Sequence, residues 1–306
     1  MAKTRRRASR AGVLRTIRDL TRWGASEFGR ARLHFGHGTD NALDEAYHLV
    51  TWTLKLPHEL PKGYFEAELT PREIAQVKKV LRARVRTRKP AAYLTNEAWF
   101  AGLPFTVDEH VLIPRSPIAE LIERHFQPWL QVQPRRILDL CAGSGCIGIA
   151  CAMAFPDAQV DLAEIDGGAM KLLEANVRRH GVGDRVRAVR SDLFAKLGAA
   201  RYDLIVSNPP YVPERRWRAM PDEYHHEPKL ALAAGADGMD IVTRILREAP
   251  ARLTADGLLV CEVGGSVPEF NKRFANIPVI WPEFERGGDG VFVISRDDLD
   301  AWRSEP

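Results

Sequence analysis

The first dozen residues hold almost nothing apolar. After them, hydrophobic positions recur at helical spacing from Val13 to Leu33 and again from Asn41 to Leu56. In the second run Leu43, Ala46, Tyr47, Val50 and Leu54 fall on one face, as in an amphipathic helix. A third helix starts at Thr70-Pro71-Arg72-Glu73, where Thr70 suits the cap, Pro71 the first turn, and Glu73 can reach back to close a capping box. It ends before Pro90, and its outer face is read as carrying Lys78, Lys79, Arg82, Arg84, Arg86 and Arg88. The period then changes: Trp99 to Phe105 is aromatic around Gly102, Val111-Leu112-Ile113 is a short apolar run, and residues 95–114 read as a β-hairpin.

From about Arg115 onward strands and helices alternate. Strands are expected at residues 136–141, 159–164, 186–190, 202–207, 257–263, 278–281 and 291–295, with helices notably at 168–180 and 239–253. Such interleaving predicts an α/β fold with a mostly parallel sheet covered on both faces. Too little chain joins the last two strands for a helical crossover, so they are expected to be antiparallel neighbours. The organisation expected is therefore a basic disordered tail over residues 1–12, a helical domain over 13–94, a linking hairpin over 95–114 and an α/β domain over 115–306.

A chain of 306 residues with 45% apolar content can bury two cores, as that division requires. No apolar run approaches the roughly 18 residues that span a bilayer, and Met1-Ala-Lys-Thr-Arg-Arg-Arg leads into no signal segment, so a cytoplasmic protein without a membrane partner is expected. Cys141, Cys146, Cys151 and Cys261 form no CxxC pair; reduced, packed thiols are expected rather than disulfides or ligands of a metal. The net charge of +4 is unevenly spread. Residues 1–35 hold ten Lys or Arg against Asp19 and Glu27, a net +8 that leaves −4 for the rest. A basic end of this kind fits contact with RNA or an RNA–protein particle, and a solvated tail fits almost as well.

Two turns carry the candidate chemistry. The first follows strand Ile137-Leu138-Asp139-Leu140: Cys141-Ala142-Gly143-Ser144-Gly145-Cys146-Ile147-Gly148 lets the backbone turn sharply against a ligand at a helix start. Its spacing also matches the dinucleotide fingerprint, with Glu164 placed to bind a ribose. Asp139 beside the loop favours S-adenosylmethionine, whose amino-acid part a carboxylate can meet, over a pyrophosphate, which it would repel; alternatively Asp139 only fastens the turn.

The second turn, Asn208-Pro209-Pro210-Tyr211, ends the buried strand 202–207 where ligands of open α/β sheets bind. A planar NH2 group is a poor nucleophile because its lone pair is delocalised. Methylating it requires the group to be held still and positive charge growing on nitrogen to be stabilised. The Asn208 side-chain oxygen and the Pro209 carbonyl can each accept one N–H, and consecutive prolines set their direction in advance. Tyr211 can pack against the planar group or near the sulfonium. Asp192, in Ser191-Asp192-Leu193-Phe194, can accept from an adenine amino group with Leu193 against the ring, or else cap a helix.

Together with Val111-Leu112-Ile113-Pro114-Arg115-Ser116-Pro117, His226-Glu227-Pro228 and Gly238-Met239-Asp240, these turns make residues 40–295 resemble the bacterial protein-glutamine methyltransferases, which modify a glutamine amide nitrogen using S-adenosylmethionine. Release-factor enzymes of that family tend to read Ile-Pro-Arg-Pro-Asp-Thr-Glu at the hairpin exit. Arg115-Ser116-Pro117-Ile118-Ala119-Glu120 is similar instead to the branch acting on large-subunit ribosomal protein three. The resemblance implies a Rossmann-like class I fold with a seven-stranded sheet whose last strand is antiparallel. It also implies that Cys141 to Gly145, Glu164, Leu193 and Asn208 line the cofactor, while Asn208 to Tyr211 hold the glutamine. The family usually has Gly at position 141 and Asp at 164, and Asp166 can compete with Glu164 for the ribose. The rivals are an adenine-N6 methyltransferase of nucleic acid, which uses the same turn on a flipped base, and a glutamine methyltransferase of release factors. A nicotinamide dehydrogenase leaves the second turn without a task, and an inactive RNA-binding fold would predict a damaged one.

Overall fold

The computed structural model describes residues 14–57 and 59–304 and divides the chain into two compact units, one ending at Thr95 and one beginning at Asn96. The tail expected over residues 1–12 lies outside the described residues, and the hairpin belongs to the second unit. No described helix is long and apolar enough to cross a membrane.

The first unit is built on α1 (Ile17–Arg30), α2 (Ala42–Thr53) and α3 (Pro71–Thr87), with the short α4 (Ala91–Thr95) after them. Side chains start each of the three long helices. Thr16 and Asp19 form a capping box on α1, Asn41 accepts from Leu43 and Asp44 N–H on α2, and Thr70 and Glu73 close the box expected on α3. Capping satisfies N–H groups that the first turn leaves without partners. Ile17, Leu20, Phe28, Leu49, Val50, Val77 and Leu81 form the core. Two side chains depart from the expected faces. Leu43 is exposed, and Leu49 takes the inward place. Arg84 is fully buried rather than on the outer basic face: its guanidinium bonds Glu45 at 2.7 Å and the carbonyls of Arg88 and His34. A buried guanidinium is tolerable only with its donors filled in this way.

In the second unit β1 (Glu97–Phe100) and β2 (Leu103–Thr106) form the expected hairpin across Ala101-Gly102. Val111 to Ile113 is not a strand. Its backbone folds inward, with the Ile113 N–H bonded to the Glu227 carboxylate at 3.0 Å. After α5 (Ile118–Glu123) come β3 (Arg136–Leu140), α6 (Cys146–Ala154), β4 (Gln159–Glu164), α7 (Gly167–Arg179), β5 (Val186–Arg190) and β6 (Tyr202–Ser207). The unit ends with α8 (Glu214–Arg218), α9 (Asp240–Glu248), β7 (Leu253–Glu262), α10 (Val267–Arg273), β8 (Val291–Ser295) and α11 (Arg296–Ser304). The sheet has six strands in the order β5-β4-β3-β6-β7-β8, all parallel except β8. The seventh strand expected at 278–281 is reduced to one antiparallel bridge, Ile280 with Val293. Pro278 lacks an N–H and Pro282 follows at once, so a ladder cannot extend in either direction.

Strand order reverses between β3 and β6, where the chain winds outward to both sides. A crevice opens there at the carboxyl ends of the strands, the usual ligand position in open α/β sheets. Both turns singled out in the sequence leave from it: Leu140 and Ser207 are register partners, and the Ser207 hydroxyl donates to the Leu140 carbonyl at 2.8 Å.

Candidate active site

The crevice is a cavity of about 310 Å³. Cys141, Ala142, Gly143, Ser144, Glu164, Asp192, Leu193 and Asn208 line it, as do Pro210, Asp166, Ile147, Leu230, Arg115 and Arg244. Asp139, Gly145, Pro209 and Tyr211 do not.

The glycine-rich turn is held by carboxylates. Glu164, at the end of β4, accepts the Gly143 N–H at 2.8 Å on Oε2 and those of Ile165 and Asp166 on Oε1. Asp139 accepts the Gly148 N–H at 2.8 Å, and helix α6 lies so close to the sheet that a Cβ on Gly148 would stand 2.1 Å from Leu162 Cδ2. The fastening role thus describes the geometry of Asp139. It is almost wholly buried, and burial, helped by the charge of Glu164, pushes its pKa up to about 8 against the Gly148 bond; Oδ1 has no partner among the described residues. With the Gly143 N–H filled by the Glu164 carboxylate and the Gly148 N–H by Asp139, the loop has fewer donors left for a pyrophosphate and a carboxylate beside it, which disfavours the dinucleotide reading.

Cys141 has φ +59°, a left-handed conformation costly for any residue with a Cβ. A preference for Gly there has this physical reason. Cys146, Cys151 and Cys261 are buried, and burial raises the pKa of all four thiols, leaving them protonated.

Asp166 caps α7, its Oδ1 accepting from Gly168 and Ala169, while Oδ2 takes no bond among the described residues. Glu164 Oε2 keeps one lone pair free. Asp192 does not cap a helix through its side chain. The residues that follow form turns and no helix; Ser191 closes them, its hydroxyl accepting from the Lys196 N–H, and Asp192 pairs with Arg244 at 2.8 Å. Leu193 is held at φ +46° against the cavity.

At the second turn the Asn208 Oδ1 is buried and has no hydrogen-bond partner among the described residues, and no described N–H donates to the Pro209 carbonyl. An unpaired buried acceptor costs about 1–3 kcal/mol, so a turn retaining one is suited to an N–H brought by a ligand. Tyr211 faces away from the cavity. Its hydroxyl donates to Glu262 Oε1 at 2.7 Å, its carbonyl accepts from Ser266, and its ring lies on Gly264, where a Cβ would be 2.7 Å from the phenol oxygen. The other oxygen of Glu262 accepts from the Ser116 hydroxyl. Burial raises the pKa of Glu262, opposed by those two bonds.

Four further residues of this site were not given roles by sequence reasoning. Arg115 and Glu227 form a bidentate pair at 2.6 and 2.8 Å joining the hairpin exit to the segment after the second turn. Ser116 and Glu262 tie that exit to Tyr211. Arg115, Ser116 and Glu227 lie in the quoted motifs; Glu262 was detectable as a lone carboxylate closing the apolar run Leu258-Leu259-Val260-Cys261.

A family model described as the methyltransferase small domain matches residues 120–220. The ribosomal protein uL3 glutamine methyltransferase of Francisella tularensis is 44% identical over 292 residues, covering 95% of this chain and 93% of the relative. That of Bordetella pertussis is 45% identical over 290 residues, covering 94% and 97%. Among solved structures, the catalytic domain of hMettl16 in complex with a MAT2A 3′UTR hairpin matches with TM-score 0.51 and 16% identity over 78% of this chain and 85% of that one, a likeness of fold.

Proposed function

Because the chain belongs to the ribosomal protein uL3 glutamine methyltransferases, we propose that it transfers a methyl group from S-adenosylmethionine to the side-chain amide nitrogen of a glutamine in uL3, large-subunit ribosomal protein three. One observation supports the chemistry above others: the buried Asn208 Oδ1, without a partner among the described residues, beside a Pro209 carbonyl that no described N–H reaches. The two acceptors match the two hydrogens of a primary amide. As the nitrogen lone pair is drawn toward carbon, positive charge grows on those hydrogens, and both bonds strengthen in the transition state.

The residues also fit the cofactor. The Cys141–Gly145 turn provides a narrow backbone wall, Glu164 Oε2 or Asp166 Oδ2 an acceptor for ribose hydroxyls, and Asp192 an acceptor for an adenine amino group with Leu193 against its ring. When bound, the cofactor supplies an electrophilic methyl on a sulfonium centre. The chain contributes orientation: Pro209 and Pro210 restrict φ, and Glu262, Ser266 and Gly264 fix Tyr211 so that the turn cannot rotate. No general base is required, since the methylated nitrogen is acidic enough to lose its proton to water.

A nucleic-acid adenine presents the same NH2 group, and a release-factor glutamine the same amide. The relatives' identity over nearly their whole length supports uL3 over both. A uL3 substrate supports a cytoplasmic enzyme acting near ribosome assembly, and a basic amino-terminal region is compatible with RNA nearby. The test incubates purified enzyme with labelled S-adenosylmethionine and, separately, unmethylated uL3, release factors, and single- or double-stranded nucleic acid, then locates the label by mass spectrometry. Methyl on a uL3 glutamine is expected. Label on a release factor or on adenine instead would overturn the substrate, and label nowhere would overturn the reaction.

A further inference from the structure

Within the first unit, α1, α3 and the segment before α3 enclose an open groove of about 1050 Å³, apart from the site described above. Arg15, Arg22, Arg30 and Lys78 line it around Trp23. We propose that this groove is a binding site for single-stranded RNA, with the cations of α1 following the phosphate backbone and Trp23 with its attendant cations forming a platform for a base.

Three observations carry this. Charge is arranged as a strip rather than a point: Arg15 stands just before α1, and from Ile17 to Arg30 the helix rises roughly 20 Å, a length that suits a polyanion over an isolated phosphate. Secondly, the acids on this face are already engaged. Asp19 bonds the backbone N–H groups of Arg15 and Thr16, while Glu68 and Glu66 pair with Arg15 at 3.9 Å and Arg18 at 2.6 Å. Arg22, Lys78 and Arg82 form no ion pair with described residues, and exposed pairs such as Arg18–Glu66 are weak enough to exchange for phosphate. Thirdly, Lys78 Nζ and the Arg82 guanidinium sit 5.8 and 5.7 Å from the Trp23 ring centroid, combining an aromatic surface with a planar cation. Aromatic and guanidinium planes beside a basic track are how unpaired bases are held without sequence preference. An acidic peptide would use the charge but not the platform. Lys3, Arg5, Arg6, Arg7 and Arg10 precede the groove in sequence with the same sign.

The reading rests on the proposed uL3 substrate only for the reason that RNA is at hand; its test does not. Binding of a 5′-labelled 20-nucleotide single-stranded RNA to the full chain is followed by fluorescence anisotropy across a salt series, without uL3 or methyl donor. Arg22→Ala with Lys78→Ala is expected to weaken binding at least tenfold and to reduce the slope of log K against log[salt] by about 1.4, two phosphates at roughly 0.7 each. Lys272→Ala, on an exposed lysine of the second unit, is expected to change neither, and free uL3 is expected to be methylated at the unaltered rate by the double variant. Unchanged affinity and slope in the double variant would overturn the proposal, as would displacement of the RNA by polyglutamate at equal charge concentration. Failure of the unmodified enzyme to methylate free uL3 while it binds the RNA would count against the substrate assignment alone.

Discussion

Replacing Asn208 with Ala removes the acceptor on which the chemistry depends, and the structure predicts where the loss appears. Oδ1 bonds none of the described residues, so deleting it breaks no hydrogen bond among them and relieves a buried unsatisfied group. The melting temperature is therefore expected to stay within a few degrees of the parent. In the transition state the same atom faces an N–H whose nitrogen is becoming positive. A hydrogen bond of that charge-assisted kind contributes about 1.5–3 kcal/mol, which converts to roughly 10- to 150-fold in rate, and removing comparable donors from oxyanion sites costs about 10²–10³ in kcat. We expect single-turnover methylation of uL3 to fall about 100-fold while affinity for S-adenosylmethionine, measured calorimetrically, changes less than about threefold. A kcat within threefold of the parent would refute the two-acceptor argument. So would a large rate loss fully accounted for by lost cofactor binding.

Three further outcomes follow from the same geometry. Tyr211→Phe deprives buried Glu262 of one of its two side-chain donors and loosens the turn without touching the cavity; kcat should fall about tenfold with KM little changed. Glu262→Gln alone, which can still meet the hydroxyls of both Tyr211 and Ser116, should retain most of the parent rate in the same steady-state assay. Arg115→Met takes the cationic partner from the fully buried Glu227 side chain and should cost about 3–5 kcal/mol in denaturant unfolding; adding Glu227→Gln should restore part of it, and strictly additive losses would contradict the coupling. Asp139, with a folded pKa of about 8 against an ordinary value of 3.8, holds a proton that the unfolded chain gives up. Its contribution is fully present below about pH 4 and is lost as pH rises through 8. Asp139→Asn should flatten the fall in melting temperature between pH 5 and 8, and an unchanged profile would show that Asp139 is already ionised at neutral pH.

How far the sequence alone could lead depended on the range over which each signal acts. The capping box at Thr70-Glu73, the hairpin about Gly102, and five of the six sheet strands were legible to within a residue, because caps, turns and apolar runs are written in consecutive positions; β7 begins four residues before its expected start. Errors arose where tertiary context overrode local pattern. Arg84 belongs by type to a solvated face, yet Glu45, 39 positions away, and two carbonyls take it inside. The run at 278–281 is apolar enough for a strand but is bounded by prolines. The same distinction holds in the site. Both turns are contiguous and could be read with a chemical purpose; the groups that hold the second turn rigid could not. Ser116 meets Glu262 across 146 positions, and Glu262 meets Tyr211 across 51. Glu227 meets Arg115 across 112. Such pairings exist only once β7 stands beside β6 at the crevice, so they appear in sequence as isolated polar residues among apolar ones. An acceptor pair aimed in advance is worth more to catalysis than one that must be ordered at each turnover. Rigidity of the turn is thus the part of the mechanism that only the fold provides, and the contrast between Tyr211→Phe and Glu262→Gln is the measurement most sensitive to it.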